Sequence, residues 1–176
     1  MGTVLTRPIW HPAKSVLSPP TWRANYMVAK LAKTLINTFT TGSRVYFIGN
    51  GGSATQSSHF SAELLNKYQI YRKPLPALAL NDMAVVTAIS NDLGYKYVFS
   101  RQLEALGNPG DLLIALSTSG KSENVNYAIS TAKELGMQVV EWPRKGNNVG
   151  EIQNNQVKLM HDVCEIVEGH FAHTVT

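Results

Sequence analysis

Val45-Tyr46-Phe47-Ile48-Gly49-Asn50-Gly51-Gly52-Ser53 is the stretch that decides the fold. Four consecutive apolar residues suit a strand buried on both faces, the mark of a parallel sheet. The glycines behind them make a tight loop whose backbone N–H groups can approach a ligand closely. A helical pattern follows over Ala54–Tyr68, so the loop sits at a helix N-terminus, where free N–H groups and the helix dipole favour an anion. Gly49, Gly51 and Ala54 also satisfy the dinucleotide pattern G-x-G-x-x-A, but that pattern wants an acid about 20 positions on. The acid near the end of the next strand is Asp82, more than thirty residues after Gly49. Dinucleotide binding is therefore disfavoured.

The unit repeats along the chain. Leu75–Leu80 reads as a second strand, Ala84–Ser90 opens a helix, and Tyr97–Leu106 looks helical. Leu112–Leu116 is a third strand and Val125–Leu135 a further helix. Gln138–Trp142 is a fourth strand, and a last helix is expected over about Ile152–Val167. Upstream, Met27, Leu31, Leu35 and Phe39 recur at four-residue steps, predicting a helix from Thr21 to about Thr40 that Thr41-Gly42-Ser43 closes. Short apolar strands alternating with helices indicate an α/β fold, a three-layer doubly wound parallel sheet. Pro8, Pro12, Pro19 and Pro20 make residues 1–20 an irregular arm; 21–168 form a single domain and 169–176 a tail.

Ser117-Thr118-Ser119-Gly120-Lys121-Ser122 follows the third strand directly. Four hydroxyls beside a helix start form a neutral, hydrogen-bonding cradle for phosphate. Its Gly-Lys-Ser resembles the end of a nucleotide-binding P-loop, but the required glycine five positions before Gly120 is Ala115. A Ser/Thr-rich turn with a helix cap is the competing structural reading. Two such loops, both after parallel strands, favour a phosphorylated ligand.

The 176 residues carry a net charge of +4, with 16 Lys+Arg against 12 Asp+Glu. All acids lie at or after Glu63, whereas Arg7, Lys14, Arg23, Lys30, Lys33 and Arg44 precede it. A nucleic-acid patch, an organelle transit segment and an anionic metabolite compete to explain this bias. The charges are scattered and no RNA-binding or zinc-finger signature accompanies them, so no nucleic-acid partner is expected. No apolar stretch approaches the ~20 residues that span a bilayer, so no membrane partner is expected. The one cysteine, Cys164, rules out an internal disulfide. His11, His170 and His173 read as solvated.

Ile48–Ser53 followed by His59-Phe60-Ser61-Ala62-Glu63-Leu64 resembles the phosphoheptose isomerases of the sugar isomerase (SIS) fold. Thr87–Asp92, Gly110–Leu113, Ser117–Ser122 with Asn124-Val125, and Ile152-Gln153 with His161 extend the resemblance over about residues 43–168. It implies an aldose–ketose isomerase converting sedoheptulose 7-phosphate to D-glycero-D-manno-heptose 7-phosphate, cytoplasmic and homotetrameric. By motif, Ser53, Ser117, Ser119 and Ser122 would hold phosphate, lined by Asn50, Gly51, Gly52 and Thr118. Asn91, Asp92, Glu63 and Gln153 would contact the sugar, with Glu63 the base and His161 its acid partner. Zinc in some members implies His59, Glu63, Gln153 and His161 as ligands.

The chemistry agrees with those residue types. Aldose–ketose exchange moves a proton between adjacent carbons through an enediol, work for a carboxylate on carbon and an imidazole on oxygen. His59 and Glu63 are four apart and share a helix face; an ordinary hydrogen-bonded pair is the bland alternative. Gln153 and His161 are eight apart, about 80° around a helix. Family members carry a further helix-plus-strand unit between Val140 and Glu141, so a sheet of four strands is expected where five are usual. Non-catalytic SIS modules, binding a replication initiator or sensing a phosphosugar, are the alternative function.

Overall fold

The computed structural model describes residues 26–172. The arm of residues 1–20, the expected start of the first helix, His11 and His173 lie outside the described residues. The elements run α1 (Tyr26–Thr40), β1 (Val45–Ile48), α2 (Gly52–Leu65), β2 (Ala77–Ala79) and α3 (Met83–Asp92), then α4 (Ser100–Leu106), β3 (Leu112–Ala115), α5 (Glu123–Glu134), β4 (Gln138–Glu141) and α6 (Val149–Phe171). The four strands form one parallel sheet in the order β2-β1-β3-β4. Among the described residues no helix is long and apolar enough to cross a membrane.

The two central strands explain the three layers. Every residue of β1 and of β3 is buried. Alternate side chains point to opposite faces. Val45, Phe47, Leu112 and Ile114 enter a core with α1, α2 and α6. Tyr46, Ile48, Leu113 and Ala115 enter a second core with α4 and α5. A continuous apolar run therefore reads correctly as a strand covered on both sides.

Several boundaries depart from the sequence expectation. The second strand shortens to Ala77–Ala79 because Pro76 has no N–H to give the ladder. The stretch expected as one helix from Tyr97 breaks into a 3-10 turn, Tyr95–Tyr97, and α4. Trp142 falls just beyond β4; its ring packs edge-on to Phe60 at 5.0 Å, and its indole N–H donates to the Gln156 carbonyl at 3.3 Å. The shortened sheet edge is thereby locked to α2 and α6. The last helix starts earlier, capped by the Asn148 side chain on Glu151 N–H, and continues through Phe171, which packs on Phe39. His170 belongs to that helix and is exposed, as its sequence position suggested.

α2 ends at Leu65, three residues short of Tyr68, for a reason found elsewhere in the chain. The buried Arg72 guanidinium donates to the carbonyls of Glu63 at 2.9 Å and Leu64 at 2.8 Å. Those are orphan acceptors of a helix C-terminus, where a cation is also favoured by the dipole. Arg72 lies 3.6 Å from Glu168 of α6, and both side chains are excluded from water. Replacing Arg72 with Met strands the Glu168 charge in the interior and is expected to cost about 3–5 kcal/mol. Urea denaturation should show this as a lower midpoint with an unchanged slope.

Candidate active site

Ile48 and Ala115 are register partners at the ends of adjacent strands, so both loops begin side by side. From there β1 leads to α2 on one face of the sheet, and β3 leads to α5 on the other. The loops diverge where the strand order reverses, the crevice in which open parallel sheets bind their ligands.

In the first loop Gly51 has φ 54°, a backbone that favours glycine, and it places Gly52 and Ser53 in the first turn of α2. Ser53 is buried there, its N–H donating to the Asn50 carbonyl at 3.0 Å. The Gln153 amide lies over Gly52, in the space a side chain at that position would fill. In the second loop the Ser117 hydroxyl accepts from Gly120 N–H at 3.0 Å and the Ser119 hydroxyl from Lys121 N–H at 3.1 Å. A hydroxyl that accepts in this way keeps its own proton for an incoming oxygen. Ser122 stands at the N-cap of α5 without a capping bond from its side chain. The helix-cap reading of this loop does not hold for Ser122.

Asn50 and Asn124 tie the two loops together. Each amide donates to the other's oxygen, at 2.8 and 2.9 Å, and Asn124 Oδ1 also accepts from Val125 N–H. Tyr95 adds its hydroxyl to Asn50 Oδ1 at 2.9 Å. Asn91 and Asp92, four and three residues earlier, lie exposed at the end of α3 and bond to each other at 2.8 Å. Thr118 lies in the second loop, partly buried.

The second cluster lies farther along α2 and α6. His59 Nε2 is 2.8 Å from Glu63 Oε1, and His161 Nε2 is 3.3 Å from the same oxygen. The two imidazoles meet edge to face at 5.4 Å, and Tyr68 stacks on His161 with centroids 5.1 Å apart and planes 12° apart. His161 of α6 therefore converges with Glu63 of α2. Cys164 is buried beside Glu63; burial first, then the Glu63 carboxylate, lifts its thiol well above the usual range, so it stays protonated. One ligand atom each from His59, Glu63 and His161 lie within 4.8 Å of one another. Two imidazole nitrogens and a carboxylate oxygen match a donor set zinc takes in catalytic sites. The group therefore fits a metal ion.

Sequence reading missed four residues here. Asn124 and Tyr95 act through partners 74 and 45 residues away. Tyr68 was assigned to a helix that ends before it. The Arg144 guanidinium fills the space beside Gly120 that a side chain would occupy, a placement no local motif announces. Of these, only Asn124 carried a signal, its place in the Ser117–Val125 pattern.

The SIS domain family pattern matches residues 13–141. A phosphoheptose isomerase of Campylobacter concisus is 41% identical over 152 residues, covering 77% of this chain and 80% of that protein. One of Shewanella pealeana is 46% identical over 135 residues, covering 75% and 68%. The solved phosphoheptose isomerase of Francisella tularensis superposes with a TM-score of 0.78 at 32% identity, covering 83% of this chain and 88% of that one. That of Neisseria gonorrhoeae gives 0.73 at 31%, covering 81% and 85%.

Replacing Asn124 with Ala removes the bridge between the loops while leaving every hydroxyl of both loops in place. KM for a phosphorylated substrate is expected to rise about tenfold, with a smaller fall in kcat, in steady-state kinetics.

Proposed function

This chain belongs to the SIS-domain phosphoheptose isomerases and is a phosphosugar isomerase; on that premise we propose that it converts sedoheptulose 7-phosphate to D-glycero-D-manno-heptose 7-phosphate. The observation that carries the reading is the convergence of His59 and His161 on one oxygen of Glu63, beside two phosphate-type loops. A protein-binding or sensing module has no need of that convergence.

Ser53, Ser117, Thr118, Ser119 and Ser122, with the backbone of Asn50, Gly51 and Gly52, hold the phosphate in this reading. Arg144 beside Gly120, 3.8 Å from Glu141, adds a guanidinium to the hydroxyls of the second loop. Gln153, Asn91 and Asp92 engage the sugar hydroxyls. Anchoring the phosphate holds the carbonyl carbon and its neighbour at Glu63, converting binding energy into orientation.

Glu63 takes the proton from the carbon next to the carbonyl, and those bonding electrons form the carbon–carbon double bond of the enediol. His161 gives a proton to the carbonyl oxygen, so no free alkoxide accumulates. The second half reverses the roles: His161 takes the proton of the neighbouring hydroxyl, and Glu63 returns its proton to the other carbon. Substrate and product are isomers, so no redox partner is required. His59 orients the Glu63 carboxylate through the 2.8 Å contact.

Zinc would be held by His59, Glu63 and His161 and would supply Lewis-acid polarisation of the sugar oxygens, whereas the Gln153 amide, expected as a fourth ligand, lies over Gly52. We place the enzyme in the cytoplasm, where its phosphorylated substrate would be found, as a homotetramer. The apolar helix α3 supports assembly, since none of its residues is buried and Met83 is 79% exposed.

Glu63→Gln is expected to lower turnover by roughly 10³-fold, within the usual range for a general base. Binding of sedoheptulose 7-phosphate by calorimetry should be little changed; full activity in the variant would overturn the assignment. Zinc titrated into chelator-treated protein should bind once per chain, and His161→Ala should abolish that binding heat.

A further inference from the structure

We propose that Tyr68 is a positioning residue for the isomerisation: its ring, anchored to α6 by Glu168, sets the plane of the His161 imidazole. The inference rests on His161 as the proton carrier of the reading above and adds a residue to that site.

His161 and Glu168 are seven apart on α6, nearly in line on one face. The Glu168 carboxylate accepts from three successive backbone N–H groups: Tyr68 at 2.5 Å, Gln69 at 2.6 Å and Ile70 at 2.9 Å. Charge-assisted bonds of this kind are the strong ones, and here the accepting carboxylate is shielded from water. They fix the segment after α2 against the same helix that carries His161. The Tyr68 ring is then delivered onto the imidazole, parallel to within 12°.

The contact answers a specific need. The terminal torsion of a histidine is broad, so the backbone alone does not decide where Nε2 points. His161 Nε2 must face Glu63 Oε1, which is 3.3 Å away. One face of the imidazole is covered by Tyr68, and its edge-to-face neighbour is His59, at 5.4 Å and 72°. A flat partner on one side and a perpendicular ring beside it leave few orientations open. Offset stacking of this kind is a favoured geometry for aromatic pairs.

The competing explanation is that Tyr68 only fills space, since it also packs on the core shared by α1, α2 and α6. Leu at this position retains apolar contact but not the flat ring; Phe retains both. Tyr68→Leu is expected to lower kcat about tenfold while KM changes less than about twofold, with Tyr68→Phe restoring kcat to within about twofold of the parent. Thermal unfolding of the two variants should fall within a few degrees of each other. A Leu variant with parental kcat, or a Phe variant as impaired as Leu, overturns the role assigned to the ring. A loss of kcat in Leu that merely tracks a collapse in melting temperature overturns it as well. Glu63→Gln, assayed alongside, separates the failures: an active Glu63→Gln protein sinks the site assignment, whereas a dead one beside a fully active Leu variant sinks only Tyr68.

Discussion

Glu168 faces Arg72 in the dry interior between α2 and α6, and the spacing of the reactive groups depends on this contact. Arg72 satisfies the last carbonyls of α2, the helix that carries His59 and Glu63. Glu168 sits two turns beyond His161 on α6. The pair therefore ties the end of α2 to the body of α6. A second tie, from the Gln56 amide of α2 to the Gln153 carbonyl of α6 at 2.9 Å, holds the two helices nearer their N-termini. Buried ion pairs contribute little net stability relative to apolar replacements, while losing one partner is costly. Their value here lies in geometry.

A second constraint operates at the sheet. Adjacent parallel strands in register bring two loops together at the reversal of strand order, and the Asn50–Asn124 amide pair holds them. Neutral hydroxyls and helix N-termini suit a phosphate that must leave after each turnover. Arg144, 3.8 Å from Glu141, brings its guanidinium to the second loop from the β4–α6 connection. Trp142 joins the sheet edge to Phe60 of α2 and to the Gln156 carbonyl of α6, the helix that carries His161.

Much of this was legible in the chain. The apolar runs of β1 and β3, the two loops behind them and the i,i+4 pair His59–Glu63 are local patterns, and each appears where its spacing placed it. Helix ends were less legible. α2 stops at Leu65 because Arg72, seven residues on, satisfies its last carbonyls, and β2 starts late because Pro76, whose carbonyl accepts from Val45 N–H, has no N–H of its own to donate. Trp142 reads as a strand residue by hydropathy, yet it leaves β4 to fill a gap between layers.

The sequence by itself determined the class of fold, the two loops behind β1 and β3 and the kinds of chemical group available, because these follow from periodicity, glycine placement and side-chain chemistry. Tertiary structure alone decided which of those groups meet. Glu63 and His161 lie 98 residues apart, and their 3.3 Å contact depends on how α6 is docked. Tyr68, Tyr95 and Arg144 reach the site by the same route, through packing between elements distant in the chain. Local sequence constrains torsions a few residues at a time; convergence is set by the buried contacts that hold whole helices against the sheet.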